Sequence, residues 1–261
     1  TLEAEDTEAH APKAGLLERL PASAEESAIF RFTGRMLARS ATHRLFLACW
    51  WSTGLSIGLL TTVVVVGGHP GLSPDGLRSL PLLIAFFVVS GFRAAFQFPA
   101  ELHSNWLFRM TEERWAEKSR RATRKRVLAS GLLPALLLFL PFEMARWGGR
   151  TGAFHVLFQL AAGALLVEAL FWSFDKVPFT CSYFPGKVSL ALLAGIYLYG
   201  FTTYSFRMAD LETALEGRPV SSALFFACAA AALALLWRRN PPPSAVRFDG
   251  NEPDIQALDL N

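Results

Sequence analysis

The residue types that most often carry chemistry are few and scattered in this sequence. The cysteines are Cys49, Cys181 and Cys228, and none of them belongs to a C-x-x-C pair. The five histidines, at positions 10, 43, 69, 103 and 155, form no H-x-x-x-H motif. The sequence also has no P-loop, no G-x-G-x-x-G after a predicted strand and no G-x-S-x-G. We therefore predict no enzymatic activity, and no catalytic, cofactor-binding or metal-binding residue.

One loop could still be a reactive or recognition site. The segment PFTCSYFPGK, Pro178–Lys187, lies between two apolar runs. Its candidate residues are Pro178, Cys181, Tyr183, Pro185 and Gly186. Proline and glycine favour a tight turn, and the aromatic residues, Phe179 among them, are predicted at the level of the lipid headgroups. A reactive cysteine needs a base or a cation nearby, and Lys176 and Lys187 are the only local cations. We predict a rigid reversal of the chain, with a partner-binding or reactive site as the alternative.

Charged residues inside apolar runs are the other candidates, because a charge in hydrocarbon costs several kcal/mol unless it is paired or reaches the interface. Arg93 and Glu168 lie at similar depths in their runs, roughly 7–8 Å from the same boundary at the rise of an α-helix. We predict an intramembrane ion pair between them. The alternative is that each side chain extends separately to the interface. Glu143 has Arg146 one turn later and is predicted to be interfacial.

The elements that would position these residues are long apolar helices. The chain has 261 residues, of which 52% are hydrophobic, and its mean hydropathy is +0.31. The apolar residues are gathered into blocks of about 20, the length that crosses a bilayer as an α-helix. We predict an all-α polytopic membrane protein with six transmembrane helices within residues 45–237. The predicted spans are Leu45–Val66, Leu80–Phe98, Val127–Arg146, Ala153–Ser173, Val188–Phe206 and Ser221–Trp237.

The distribution of Lys and Arg predicts the orientation. These residues are concentrated before the first span, between the second and third, between the fourth and fifth, and after the last. The positive-inside rule therefore places both termini in the cytoplasm, and we predict a bacterial inner membrane. Residues 1–22 are predicted to be a disordered acidic tail, and residues 238–261 a cytoplasmic tail. This topology explains the basic pI of about 8.9 without a nucleic-acid partner.

Two charged amphipathic segments lie outside the predicted spans. Residues 23–44 are predicted to form a basic interfacial helix that begins with a capping box of Ser23 and Glu26. Residues 99–126 are predicted to form a helical cytoplasmic loop. This loop is either an extension held by charge pairs and anionic lipid headgroups, or a docking surface for a protein partner. The predicted docking residues are Trp106, Arg120, Arg121 and Arg124.

The order of these parts resembles the permease subunit of ABC-2-type exporters. The matching features are a basic helix before the first span, six spans with both ends inside, and a charged cytoplasmic helix after the second span. The resemblance implies that residues 23–41 are an elbow helix and that residues 98–126 contact a separate ATPase. We therefore predict a permease-like subunit that acts with a cytoplasmic ATPase partner. The alternative is a non-catalytic accessory or scaffold subunit of a larger membrane complex.

Overall fold

The computed structural model describes residues 21–67, 74–98, 115–172, 174, 177–179 and 190–238. These residues are almost entirely helical and contain no strand, so the predicted all-α class is confirmed. The helices are α1 (Ala24–Arg39), α2 (Ala41–Val66), α3 (Leu80–Ala95), α4 (Trp115–Val127), α5 (Leu133–Leu170), α6 (Leu190–Leu215) and α7 (Pro219–Arg238). A 3-10 helix, Pro74–Ser79, precedes α3, and a π-helical turn, Leu128–Leu132, joins α4 to α5.

Four helical segments in the described part of the chain are long and apolar enough to cross a membrane. Three of them, Ala41–Val66, Leu77–Ala95 and Pro219–Arg238, coincide with the first, second and sixth predicted spans. The other, Glu117–Leu170, is 54 residues long and contains the third and fourth. Helix α6, at the fifth predicted span, is not one of the four, because polar residues within it lower its mean hydropathy. The helices are those of a multi-pass membrane protein, and a count of six spans is not confirmed.

Helix α5 is a helical hairpin that turns at Gly148. The φ of Gly148 is 77° and its ψ is 170°, a conformation that glycine adopts far more easily than other residues. The first arm, 133–147, and the second arm, 149–170, therefore run antiparallel. They pack closely, since a Cβ on Gly163 would lie 2.6 Å from Leu132 Cδ1. Residues that are about equally far from Gly148 thus face each other across the hairpin.

Helix α3 is the centre of the bundle. It packs against α2, α5 and α6, and 89% of its apolar window is buried. Its Phe87 and Phe92, together with Phe96 at its C-cap, join the main core. In contrast, only 11% of the corresponding window of α2 and 6% of that of α7 are buried. Helices α2 and α7 therefore direct most of their apolar surface outwards, as expected of helices that face lipid.

Helix α1 is docked on α4. Ser23 Oγ accepts a hydrogen bond from the Glu26 amide at 3.2 Å, as the capping box predicts. The helix ends at Arg39, and Ser40 then caps α2, so residues 23–44 comprise α1 and the first turn of α2. Ile29 is buried with Phe30 against α4. The apolar face that we predicted at the lipid interface is thus covered by protein, because α4 offers it an apolar partner.

Candidate functional site

A buried cluster of polar and ionisable side chains lies near the Gly148 end of the hairpin. Glu143 belongs to the first arm of α5, His155 and Gln159 belong to the second arm, and Glu212 belongs to α6. Each of the four residues is at most 1% exposed. The turn at Gly148 brings Glu143 and His155 together, and Gln159 shares a helix face with His155 because it lies one turn later. We call these four residues the Glu143 cluster.

His155 is the centre of this cluster. Its Nδ1 contacts Glu212 Oε1, and its Nε2 lies 2.6 Å from Gln159 Nε2. Glu143 Oε1 lies 3.7 Å from His155 Nε2, which is too far for a hydrogen bond. A carboxylate only accepts and an amide NH₂ only donates, so this arrangement corresponds to a neutral imidazole with its proton on Nδ1.

The cluster has more acceptors than donors. Four buried oxygens in it have no hydrogen-bond partner: both carboxylate oxygens of Glu143, Oε1 of Gln159 and Oε2 of Glu212. A buried acceptor without a partner costs about 1–3 kcal/mol, and a charged one costs more. The interior of the bundle therefore contains, at this cluster, more hydrogen-bond acceptors than donors.

An ion pair and a cavity border the cluster at the Gly148 end. Arg78 of the 3-10 helix pairs with Glu216, which lies one turn beyond Glu212. The Trp147 ring lies close to both, with its centroid 5.8 Å from Arg78 Cζ and 4.9 Å from the His155 ring. A cavity of about 560 Å³ is lined by Phe154 and Glu216, among others. None of the four cluster residues lines this cavity, but Phe154 precedes His155 and Glu216 follows Glu212 by one turn, so the cavity lies at the same end of the bundle as the cluster.

A second buried charge site lies at the other end of the hairpin. Arg124 Nη1 of α4 lies 2.7 Å from Glu168 Oε2 of the second arm, and their side chains are 6% and 2% exposed. The contact is that of an ion pair by distance, without the alignment of a hydrogen bond. Arg120 and Trp237 also act on Glu168. The negative charge of Glu168 is thus compensated by at least one guanidinium, that of Arg124.

The structure gives Glu168 a different partner from the predicted one. Its ion pair is with Arg124 and not with Arg93, and Arg93 has interactions of its own. The physical reason is the hairpin, because α4 continues the first arm and lies directly beside the second arm at the level of Glu168. Depth along the sequence pointed to Arg93 as the partner of Glu168, and Arg124 was predicted only as a docking residue.

The predicted docking residues do not form one exposed surface. Arg124 is buried in its pair with Glu168, and Arg120 acts on the same carboxylate. Arg121 is 41% exposed and pairs with Glu117 one turn earlier. Trp106 lies outside the described residues.

Only the beginning of the predicted loop lies in the described part of the chain. Pro178 is buried there. Phe179, predicted at the headgroup level, is fully buried and contacts the rings of Phe96 and His43 at 5.3 and 4.8 Å. This burial agrees with a reversal packed onto the bundle. The remaining candidates, Cys181, Tyr183, Pro185 and Gly186, lie outside the described residues.

Sequence reasoning missed the Glu143 cluster. Glu143 was predicted to be interfacial beside Arg146, but it is fully buried while Arg146 is exposed. Arg146 lies one turn nearer to the exposed turn at Gly148, whereas Glu143 is covered by His155 of the second arm. The available signal was the placement of Glu143 and His155 on either side of the W-G-G stretch, at similar distances from a sharp turn.

Chemically, the cluster can hold and exchange a proton among two carboxylates and an imidazole. No group of three or more His, Cys, Asp or Glu residues in the described ranges is arranged to hold a metal ion. Comparison of the chain with protein-family models, curated proteins and solved structures gives no match.

Proposed function

We propose that this protein is a permease-like transport subunit of a bacterial inner membrane that acts with a separate cytoplasmic ATPase. One observation carries the proposal. A single helical run contains three residues of the Glu143 cluster, Glu143, His155 and Gln159, near one end of the hairpin and continues, at the other end, through the π-helical turn into α4. A partner that moved α4 would therefore move the arm that carries Glu143.

The α1–α4 pair has the rigidity that such a docking element needs. Lys118 Nζ lies 2.8 Å from Glu25 Oε1, and Lys125 Nζ lies 2.6 Å from Glu26 Oε1. The Arg126 guanidinium lies 3.5 Å from the centroid of the Phe30 ring and donates to the Phe30 carbonyl. Two ion pairs and one cation–π contact thus bind the helices together, so α1 and α4 would move as a unit.

The outer side of this pair is basic. Arg31, Arg35 and Arg39 are exposed on α1, and Arg121 is partly exposed on α4. Such a surface complements an acidic patch on a protein partner or anionic lipid headgroups. The same excess of arginine supports the assignment of this end, and of both termini, to the cytoplasmic side.

The Glu143 cluster favours transport over the scaffold alternative. Ionisable groups buried between membrane helices are costly and usually mark an ion or substrate pathway. A subunit that only holds partners together would be more stable with apolar residues at these positions. The scaffold alternative is favoured by the outward apolar faces of α2 and α7, which could pack against helices of other subunits as well as against lipid.

The test is co-purification from the native membrane in mild detergent, with ATP hydrolysis as the readout. We expect an ATPase to accompany the wild-type chain. Reversing the charge of Arg31, Arg35 and Arg121 to Glu should reduce the associated activity at least about tenfold, a loss of roughly 1.4 kcal/mol of binding free energy. Arg124 is left intact because it is buried against Glu168.

The matched control reverses three exposed arginines at the opposite end of the bundle, Arg146, Arg150 and Arg218. This control has the same change of charge and should retain the ATPase. If the wild-type chain brings down no ATPase, the proposed partner is wrong. Partners that lack ATPase activity but depend on the α1 arginines would support the scaffold alternative instead.

A further inference from the structure

We propose that the Glu143 cluster is a binding site for one exchangeable proton, which His155 accepts while the side-chain amide of Gln159 rotates. The inference deepens the proposed function, because a proton site inside a permease-like bundle would link transport to a proton gradient. It does not require the ATPase partner, and it concerns the isolated chain.

The shortage of donors is the first argument. In the arrangement described above, His155 donates from Nδ1 to Glu212 and accepts from Gln159 at Nε2. The unpartnered oxygens of Glu143 and Gln159 remain. The second N–H of the Gln159 amide, which acts on Glu143, is the one remaining donor of the four residues, so an added hydrogen finds acceptors that still lack one. A proton is the smallest ligand that provides it.

Charge balance is the second argument. The cluster contains two carboxylates, Glu143 and Glu212, and His155 is the one member that can become a cation. From the 3-10 helix, Arg78 faces this region, but it is paired with Glu216 of α6. From α7, the neighbouring groups are the apolar rings of Phe225 and Phe226. Two neighbouring buried carboxylates are unfavourable even though Arg78 acts on Glu212, so a proton on His155 reduces the net negative charge of the cluster.

The third argument is that the same side-chain positions accommodate two patterns of hydrogen bonds. When His155 is protonated, its Nε2–H needs an acceptor. A half-turn of the Gln159 amide presents Oε1 to it at the place now occupied by Nε2. The amide NH₂ then lies where Oε1 was, and Gln159, which acts on Glu143 in the present arrangement, stays beside it. Neutral His155 pairs with the amide nitrogen, and protonated His155 pairs with the amide oxygen, with no movement of a helix.

The cavity of about 560 Å³ lies at the same end of the bundle and offers an approach from solvent towards the cluster, although no cluster residue lines it. A hydrated proton that passes from this cavity to the cluster would transfer its proton to His155 Nε2 and leave a water molecule, so the step needs no other reactant. The Trp147 ring and the Arg78–Glu216 pair border the route. At this position they can limit the rate at which protons pass between the cavity and the cluster.

The experiment is a pH titration of the purified chain in detergent, followed by nuclear magnetic resonance of ¹⁵N-labelled histidine. The His155 resonances are assigned by their loss in His155→Gln. We expect wild-type His155 to change from one to two protonated ring nitrogens as the pH is lowered. Glu143→Gln should lower the pH of this midpoint by about one unit or more, because a nearby anion that stabilises the imidazolium is lost.

Two further variants separate the cluster from general effects of charge and folding. Asp210→Asn makes the same change of charge on α6 at an exposed position and should leave the midpoint unchanged. Gln159→Leu should also lower the midpoint, because the imidazolium loses its acceptor. The proposal is overturned if wild-type His155 keeps one protonation state wherever the chain is folded, a result that needs no variant. It is equally overturned if Glu143→Gln and Gln159→Leu both titrate as the wild type does.

Discussion

The two ends of the α5 hairpin both bury ionisable side chains, but they do so in different ways. At one end, Glu168 has the guanidinium of Arg124 at 2.7 Å. At the other, Glu143 has two carboxylate oxygens without a partner, 3.7 Å or more from the nearest imidazole nitrogen. The two sites are separated by about 20 Å along the second arm, from His155 to Glu168. The Glu168 carboxylate is paired with an arginine of a neighbouring helix, whereas the Glu143 carboxylate is not.

This difference indicates different roles. A buried ion pair leaves little charge uncompensated, and its main effect is to fix which helices are neighbours. A buried carboxylate without a cation weakens the fold, so its presence requires another explanation, which is usually a function. We therefore interpret the Arg124–Glu168 pair as structural and the Glu143 cluster as the functional site. The predictions that follow test this contrast.

The largest expected effect is at the Arg124–Glu168 pair. Arg124→Ala and Glu168→Ala should each lower the free energy of unfolding by about 3–5 kcal/mol, because each leaves one buried charge without its partner. The double variant should lose less than the sum of the two. The measurement is a double-mutant cycle on unfolding of the purified chain in detergent.

The same cycle with Arg93 in place of Arg124 is the matched control. Arg93→Ala and Glu168→Ala should have additive effects, since these residues do not form the ion pair. Additive effects of Arg124→Ala and Glu168→Ala, with coupling to Arg93 instead, would contradict the observed pairing and favour the one expected from the sequence.

The next largest effect is at Glu143, with the opposite sign. Glu143→Gln should leave the free energy of unfolding unchanged or raise it by up to about 3 kcal/mol, because it removes a buried carboxylate that has no partner. Glu168→Gln is the control and should destabilise the chain. Thermal unfolding of both variants under one set of conditions provides the comparison. A clear loss of stability in Glu143→Gln would mean that Glu143 is a structural residue like Glu168.

The smallest effect concerns an exposed ion pair outside the apolar spans. The hydrogen bond from Lys118 lowers the pKa of Glu25 from 4.5 to about 2. Because this pKa is lowered on folding, the contribution of Glu25 to the docking of α1 is present above pH 4.5 and is lost as the pH falls towards 2. The effect should be small, since both side chains are more than a third exposed.

The measurement for this exposed pair is the distance between spin labels on α1 and α4 as the pH is lowered. The Glu25→Gln variant should lose the pH dependence between 4.5 and about 2, while Glu117→Gln, on the exposed face of α4, should keep it. An identical response of the wild type and Glu25→Gln would show that the contact contributes nothing to docking.

The sequence predicted the helices better than their partners. The predicted spans Leu45–Val66, Leu80–Phe98 and Ser221–Trp237 agree with α2, α3 and α7 to within a few residues. The third and fourth predicted spans are the two arms of the hairpin. The cap of α1 by Ser23 was also predicted correctly, although the Glu26 carboxylate accepts from the Ala22 amide and not from the Ser23 amide of a complete capping box. These features are local, because the length of an apolar run and a cap depend only on neighbouring residues in the chain.

What the sequence by itself determined, therefore, is the all-α class and the positions of most of the helices, since an apolar run of that length forms a helix wherever water is excluded. Only the tertiary structure decided that Glu168 meets Arg124, that Glu143 meets His155, and that Ile29 is covered by α4. Each of these contacts depends on the register between helices. That register is set by the turn at Gly148 and by the close packing of Gly163 on Leu132. It cannot be derived from the spacing of residues within a single helix.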